Sequence, residues 1–282
     1  MILDGKRVLV TGSSQGIGRA IAEAMLTAGA RVVLTAQQPL TEVSGWPGLQ
    51  QRFPGRCHYF RADFAQPDAA GPLVEAAWTA LGGINVLVNN VGTFREPNFL
   101  ELTEADFEFL FRLNVWSAIS TTREVVKRAK AAERGGRILF TSSLNGTRSE
   151  PAHTLYDASK GAIDALTRQL AVELAPLGFT TATVAPGLVE TPLTDFGLKS
   201  SPAERNQILE QIPLRRIATV ADVAGWFVFL ASDAARYATG IVIPVDGGLD
   251  AQQMGFRPVT PAERSELGTV TTADTSPSAK IH

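Results

Sequence analysis

The chain has 282 residues, 45% of them hydrophobic, which is enough to bury the core of one large or two small domains. Its formal net charge of −2 excludes the strongly basic surface that binds nucleic acids or anionic membranes. The single cysteine excludes an intrachain disulfide, and no uninterrupted apolar stretch is long enough to span a bilayer. Because residues 1–6 lack a signal-peptide segment, we expect a cytoplasmic protein that acts on small molecules.

Short β-branched segments alternate with helical patterns along the chain. Residues 7–11 predict a first strand, and apolar residues at helical spacing from Ile17 to Met25 predict the helix after it. Further strands are predicted at residues 31–35, 57–61, 84–89, 137–142, 180–184 and 241–245. Helical crossovers require parallel pairing, so the sequence predicts an α/β fold: a doubly wound, mainly parallel sheet of about seven strands with helices on both faces.

Two stretches depart from this alternation. Residues 37–54 carry five Pro and Gly residues, so any helix there is short or irregular. From Gly255 onward the chain is rich in Thr, Ser, Ala and Pro and buries too little apolar surface to offset its ordering entropy. We therefore predict one domain over residues 1–254 and a polar tail over residues 255–282, disordered or laid onto a neighbouring subunit.

The turn after the first strand is suited to a dinucleotide. It reads Thr11-Gly12-Ser13-Ser14-Gln15-Gly16-Ile17-Gly18. Glycines between a strand and a helix allow a tight turn and let the backbone approach a pyrophosphate at the helix N-terminus.

This arrangement resembles the short-chain dehydrogenase/reductase family, whose motif Thr-Gly-x-x-x-Gly-Ile-Gly is matched at residues 11–18, and the resemblance extends from Lys6 to about Gly248. Its other landmarks are Asp63, Asn89-Asn90-Val91-Gly92, Asn114, Ser143, Tyr156, Lys160, Pro186-Gly187, Thr191 and Asp246-Gly247-Gly248. The family usually has Ala in place of Val91, which predicts slightly different packing near the cofactor. The resemblance implies a Rossmann-type domain, both dinucleotide-binding and catalytic, and an NAD(P)-dependent oxidoreductase that interconverts a secondary alcohol and a ketone.

The resemblance also assigns the cofactor site. Asp63 would bond the adenine, Asn89 would line the cleft, and Thr191 would hold the nicotinamide carboxamide. The complete predicted set is Gly12, Ser14, Gln15, Gly16, Ile17, Gly18, Gln37, Asp63, Phe64, Asn89, Val91, Gly92, Tyr156, Lys160, Pro186, Gly187, Val189 and Thr191.

The choice between NAD and NADP depends on the end of the second strand. Residues 36–38 are Ala-Gln-Gln, without the acid that binds the ribose hydroxyls of NAD or the cation that binds the extra phosphate of NADP. Gln37 can bond a ribose hydroxyl, and Gln15 stands where NADP-dependent relatives commonly carry a basic residue. The sequence therefore favours NAD.

The predicted catalytic residues are Asn114, Ser143, Tyr156 and Lys160. Tyr156 and Lys160 are four apart in a predicted helix over residues 155–174, so both side chains lie on one face. A nearby ammonium favours the phenolate of a tyrosine, whose ordinary pKa of about 10 is too high for a base at neutral pH. The resemblance implies that Ser143 donates to the substrate oxygen and that Asn114 binds a relay water. This chemistry needs no metal, and the three histidines are too dispersed for a zinc cluster.

The predicted substrate site comprises Ser143, Asn145, His153, Tyr156 and Leu188. Several neighbouring loop residues are polar, which favours a sugar, sugar acid or polyol. One alternative is a 3-oxoacyl-[acyl-carrier-protein] reductase, in which basic residues dock the carrier; this chain has Arg134 at one such place but Leu177 at the other. A second alternative is a nucleotide-binding regulator without catalysis, although the catalytic set is complete.

A homotetramer is the predicted assembly. The helix over residues 155–174 carries more apolar surface than one sheet-facing stripe requires. Related enzymes pair this helix, and the one predicted from Thr103 to about Lys130, with their twins across a two-fold axis. Residues 226–230 and the strand over residues 241–245 are predicted to form a second interface.

Overall fold

Seven short strands form one parallel sheet in the computed structural model, which describes residues 1–94, 96–192, 194 and 202–252. The strands are β1 (Arg7–Val10), β2 (Arg31–Ala36), β3 (Cys57–Arg61), β4 (Val86–Asn89), β5 (Gly136–Thr141), β6 (Phe179–Pro186) and β7 (Ile241–Val245). Their order is β3-β2-β1-β4-β5-β6-β7, and every neighbouring pair is parallel. The predicted sheet is confirmed; β6 is longer than expected and pairs on both sides, with β5 and β7.

Helices cover both faces of the sheet. They are α1 (Gly16–Thr27), α2 (Trp46–Arg52), α3 (Ala70–Leu81), α4 (Glu104–Phe111), α5 (Ser117–Ala131), α6 (Thr154–Leu174), α7 (Pro202–Gln211) and α8 (Val220–Ala231). Because strand side chains alternate, Val8 and Val10 pack with α1 and α8, whereas Leu9 packs on the opposite face with α3, α5 and α6. The crossover between β2 and β3 contains only the short α2 and one 3₁₀ turn, as its Pro and Gly content predicted.

The predicted helix from Thr103 to about Lys130 is helical along its whole length but changes type at its centre. Thr103 does begin a helix, with a capping box to Asp106, but a π-helical turn over Arg112–Trp116 separates α4 from α5. A π turn inside an α-helix contains one residue more than an α-helical turn, and such turns are frequent at functional sites. Here the turn carries Asn114, which is only 2% exposed.

The order of the strands in the sheet determines where the site lies. The winding direction reverses between β1 and β4, and open parallel sheets bind ligands beyond the carboxyl ends of their strands at such a point. Residues Met1–Asp250 form one compact unit. The predicted tail lies outside the described residues, so its boundary stays a prediction. Within the described ranges, no helix is long and apolar enough to cross a membrane.

Candidate active site

The glycine turn after β1 exposes backbone atoms where other residues would carry side chains. Gly12 and Gly16 adopt φ angles of +60° and +57°, which favour glycine. A β-carbon at Gly18 would overlap the carbonyl oxygen of Gly12 and Nδ2 of Asn90. The N-cap residue Gln15 makes no side-chain bond to the first turn of α1, so the N–H groups of that turn are available to an anion. This cradle fits the pyrophosphate of a dinucleotide.

A cleft of about 470 Å³ opens beside this turn, at the carboxyl ends of strands β1 to β6. Most of the predicted cofactor and catalytic residues line it. They are Gly12, Ser14, Gln15, Gly16, Ile17, Gly18, Gln37, Asp63, Phe64, Val91, Gly92, Ser143, Tyr156, Lys160, Pro186, Gly187, Val189 and Thr191. The volume is within the range of small-molecule and cofactor sites.

Asn89 is not at the cleft, in contrast to its predicted role. Its side chain is buried, and Nδ2 donates to Thr122 Oγ1 at 3.0 Å. The next residue, Asn90, lines the cleft instead. Asn90 Nδ2 donates to the Gly12 carbonyl at 2.9 Å, and Asn90 Oδ1 accepts from Thr141 Oγ1 at 3.1 Å. This amide thereby joins the ends of β1, β4 and β5, a role that a paired Asn-Asn after a strand does not reveal by itself.

At the end of β2, the structure adds a cation that the sequence prediction missed. Arg61 Nε, at the end of β3, donates to the Gln37 carbonyl at 2.7 Å. The register pairs Ala36 with Arg61, which brings the guanidinium beside the cleft residues Gln37 and Gln38. Ser14 Oγ also donates to Gln38 Oε1, at 3.2 Å.

Tyr156 and Lys160 project from α6 into the cleft, as their spacing predicted. Lys160 Nζ donates to the Thr141 carbonyl at 3.1 Å and lies 5.5 Å from the centre of the Tyr156 ring. Burial lowers the pKa of the Lys160 ammonium to about 8. Burial raises the pKa of the Tyr156 phenol, while a hydrogen bond with Ser143 opposes that rise. In the free protein the phenol therefore holds its proton at neutral pH.

Asn114 lies behind the catalytic pair and does not line the cleft. Its Nδ2 donates to the Thr93 carbonyl at 2.8 Å and to Ser159 Oγ at 2.9 Å, and its Oδ1 accepts from Thr93 N–H at 2.8 Å. A β-carbon on Gly92 would lie 3.3 Å from Asn114 Oδ1 and 3.6 Å from Lys160 Nζ. The amide and the ammonium thus face the same small space at Gly92.

Two of the predicted substrate residues lie beside this group. Asn145 Oδ1 accepts from Ser143 Oγ at 3.1 Å, and Asn145 Nδ2 donates to Asp157 Oδ1 at 2.7 Å. The His153 ring lies edge-on to Tyr156, with centroids 5.8 Å apart, and stacks on Phe94 at 5.3 Å. Neither residue contributes directly to the cleft lining. They form a wall around the serine and tyrosine.

The third, Leu188, is not in that wall. It packs in a separate apolar cluster with Ile212 and Ile217. The structure also shows a helix cap that the sequence did not predict. Glu96 Oε2 accepts from Leu155 N–H at 2.8 Å, and so satisfies the first turn of α6, whose N-cap His153 makes no cap bond.

Known proteins are similar to this chain in sequence. The family model described as enoyl-(acyl carrier protein) reductase matches residues 12–250. An L-rhamnose 1-dehydrogenase (NAD(P)(+)) of Azotobacter vinelandii is 35% identical over 252 residues, 88% of this chain and 98% of the relative. The 3-oxoacyl-[acyl-carrier-protein] reductase FabG of Aquifex aeolicus is 32% identical over 247 residues, again 88% of this chain and 98% of the relative. The chain belongs to the short-chain dehydrogenase/reductase family.

Solved structures of this dehydrogenase/reductase family match the fold as well. A candidate 2-deoxy-D-gluconate 3-dehydrogenase from Agrobacterium tumefaciens, solved with bound NADP, has a TM-score of 0.80 and 33% identity and covers 89% of this chain and 98% of its own. In the described part of the present chain, no group of three or more His, Cys, Asp or Glu side chains is placed to hold a metal ion.

Proposed function

We propose that this enzyme interconverts a secondary alcohol and a ketone with NAD(P) through Ser143, Tyr156 and Lys160. The observation that carries this proposal is the convergence of these three residues on one cleft beside a glycine cradle. When bound, the nicotinamide supplies or accepts the hydride. The cradle residues after β1 would hold the pyrophosphate, and Asp63, Phe64 and Gln37 would surround the adenosine.

The protein's own part in reduction is to orient the carbonyl and to deliver a proton. Ser143 Oγ–H donates to the substrate oxygen, and the Tyr156 phenol gives that oxygen its proton. Lys160, fixed by the Thr141 carbonyl, stabilises the phenolate that remains and would hold the nicotinamide ribose. Asn114 and Lys160 face one space at Gly92, where a water would return the lost proton. Oxidation follows the same steps in reverse.

The substrate we propose is a sugar, sugar acid or polyol. The predicted substrate residues Asn145 and His153 are polar and lie beside Ser143 and Tyr156, and two of the similar proteins carry the names of sugar enzymes. The resemblance to FabG favours a 3-oxoacyl carrier-protein substrate as a second candidate. Against it, Arg134 Nη1 is engaged with the Gly82 carbonyl at 3.3 Å, and Leu177 is partly buried in the core rather than presenting a charge. A non-catalytic regulator is disfavoured by the complete catalytic set.

The test is a screen of the purified protein by cofactor fluorescence. Polyols, sugars, sugar acids, steroids and 3-oxoacyl esters are each offered with NAD(H) and NADP(H) in parallel. We expect turnover with an oxygen-rich sugar or polyol. Turnover of 3-oxoacyl esters alone would favour the second candidate, and dinucleotide binding without turnover of any class would favour the regulator.

NAD is the cofactor we propose, because Gln37 suits a ribose hydroxyl. NADP is the second candidate, favoured by the guanidinium of Arg61 beside Gln37. In calorimetric titrations, we expect NADH to bind at least as tightly as NADPH, and Gln37→Arg to shift preference toward NADPH. A marked wild-type preference for NADPH that Arg61→Gln removes would contradict the NAD assignment and identify Arg61 as the phosphate ligand.

A homotetramer in the cytoplasm is the proposed state of the enzyme. Large apolar side chains are exposed at both predicted interfaces: Phe107 (46%) and Trp116 (48%) near α4, and Trp226 (40%) and Phe229 (42%) on α8. At micromolar concentration, light scattering should report about four chain masses. Trp226→Asp should reduce this to about two, because it places a charge in the second interface. A fully active wild-type monomer would contradict the assembly.

A further inference from the structure

One buried acid takes no part in the mechanism above. Asp164 lies on α6 one turn after Lys160, and the two residues are 3% and 6% exposed. In an α-helix, residues four apart lie on the same face. Its Oδ1 is buried without a hydrogen-bond partner, which is costly for a carboxyl group unless charge compensates it.

The turn after Ser143 is built around this carboxyl. A β-carbon at Gly146 would overlap Asp164 Oδ2, so only glycine leaves room for it there. Burial raises the pKa of the Asp164 carboxyl above its ordinary value, and a hydrogen bond with Ser142 and the charges of Arg168 and Lys160 oppose that rise. Ser142 Oγ also lies 3.2 Å from the Lys160 carbonyl oxygen, which is the other acceptor within reach of its one hydroxyl hydrogen. The acid is thus enclosed between the serine-bearing turn and the helix that carries the lysine.

Few other charges act on this pair. Among the described residues, the Asp164 carboxyl one turn along α6 is the charge that opposes the effect of burial on the pKa of Lys160. The other contacts of Lys160 are uncharged: the Thr141 carbonyl, the Tyr156 ring and the space at Gly92 that it shares with Asn114. Asp164 is influenced by Lys160 and by the exposed Arg168, one further turn along α6.

We propose that Asp164 is a positioning residue: its ionised carboxylate is the buried counter-charge that keeps Lys160 an ammonium while the enzyme works. The inference rests on the proposed function only for its effect on catalysis. Burial works against the ammonium, whose pKa is about 8, and Asp164 raises that value. Because the ammonium form is lost as pH rises through this pKa, removal of the carboxylate should cause its loss at lower pH.

The direct test is an NMR titration of Lys160 in the free enzyme. The chain has only six lysines, so ¹³Cε-lysine labelling gives few resonances, and Lys160→Arg assigns the relevant one. In Asp164→Asn, which keeps the side-chain shape, we expect the midpoint of Lys160 to fall by roughly one pH unit. The matched control, Glu173→Gln, also removes one carboxylate from α6, but at an exposed site about 14 Å beyond Asp164 and roughly 20 Å from Lys160 along the helix. Its midpoint should equal that of the wild type.

An unchanged midpoint in Asp164→Asn would overturn the proposal. If that variant does not fold, labelling of aspartate ¹³Cγ in the wild type decides instead: a carboxyl of Asp164 that is still protonated at pH 8 would also overturn it. Neither measurement needs a substrate, so both remain valid tests even if the substrate screen finds no turnover. With a substrate in hand, the alkaline limb of kcat/KM should move to lower pH in Asp164→Asn by the same amount, which a merely structural role would not produce.

Discussion

Tyr156→Phe should lower turnover by at least about 10²-fold, the usual effect of losing a positioned acid or base. The phenol is the one group in the proposed mechanism that delivers the proton, and its raised pKa keeps that proton in place at neutral pH. The ring itself packs edge-on to Phe94 and His153, contacts that phenylalanine retains. Turnover is measured with the substrate that the screen identifies.

The control for this variant is cofactor affinity. The lost hydroxyl is separate from the glycine cradle, so NADH should bind Tyr156→Phe almost as tightly as the wild type in a fluorescence titration. Near wild-type turnover in the variant would show that another group supplies the proton. Loss of NADH binding would instead show that the substitution disturbs the cleft as a whole.

Gly18→Ala should weaken dinucleotide binding by at least roughly tenfold, about 1.4 kcal/mol. The new methyl group would overlap the Gly12 carbonyl and the Asn90 amide, both of which belong to the cradle. Relief of that overlap moves the backbone that would contact the pyrophosphate. The free energy of unfolding should also fall, by about 1–3 kcal/mol, as for other overpacked sites.

Gly71→Ala is the matched control. Gly71 lies in α3, where an added β-carbon would meet no atom within 4 Å. Alanine there restricts the unfolded chain, so stability should rise by about 0.4–1 kcal/mol and NADH affinity should not change. Denaturant unfolding should show a lower stability for Gly18→Ala and a higher stability for Gly71→Ala. Calorimetric titration of both variants measures their NADH affinity. Equal NADH affinity in Gly18→Ala and the wild type would refute the role of this close approach.

The sheet was predictable because each strand is a short apolar segment bounded by turn residues, and the glycine turn and Tyr156/Lys160 spacing are local patterns. The features that the sequence missed are contacts between distant segments. Arg61 meets Gln37 only through the pairing of β2 with β3, and Glu96 reaches α6 across 59 residues. The packing of Leu188 against Ile212 was missed for the same reason, since nothing local shows that contact.

The π turn at Arg112–Trp116 rotates the faces of α5 about the helix axis relative to those of α4. Each residue of an α-helix advances the face by about 100°. A deletion of one residue in this turn would restore a continuous helix but rotate one of its halves. If α4 kept its place, Thr121, Val125 and Ala129, now buried, would swing away from the sheet. Length changes of one residue at this point are therefore not neutral, and sequence alignments of relatives should keep this turn free of gaps.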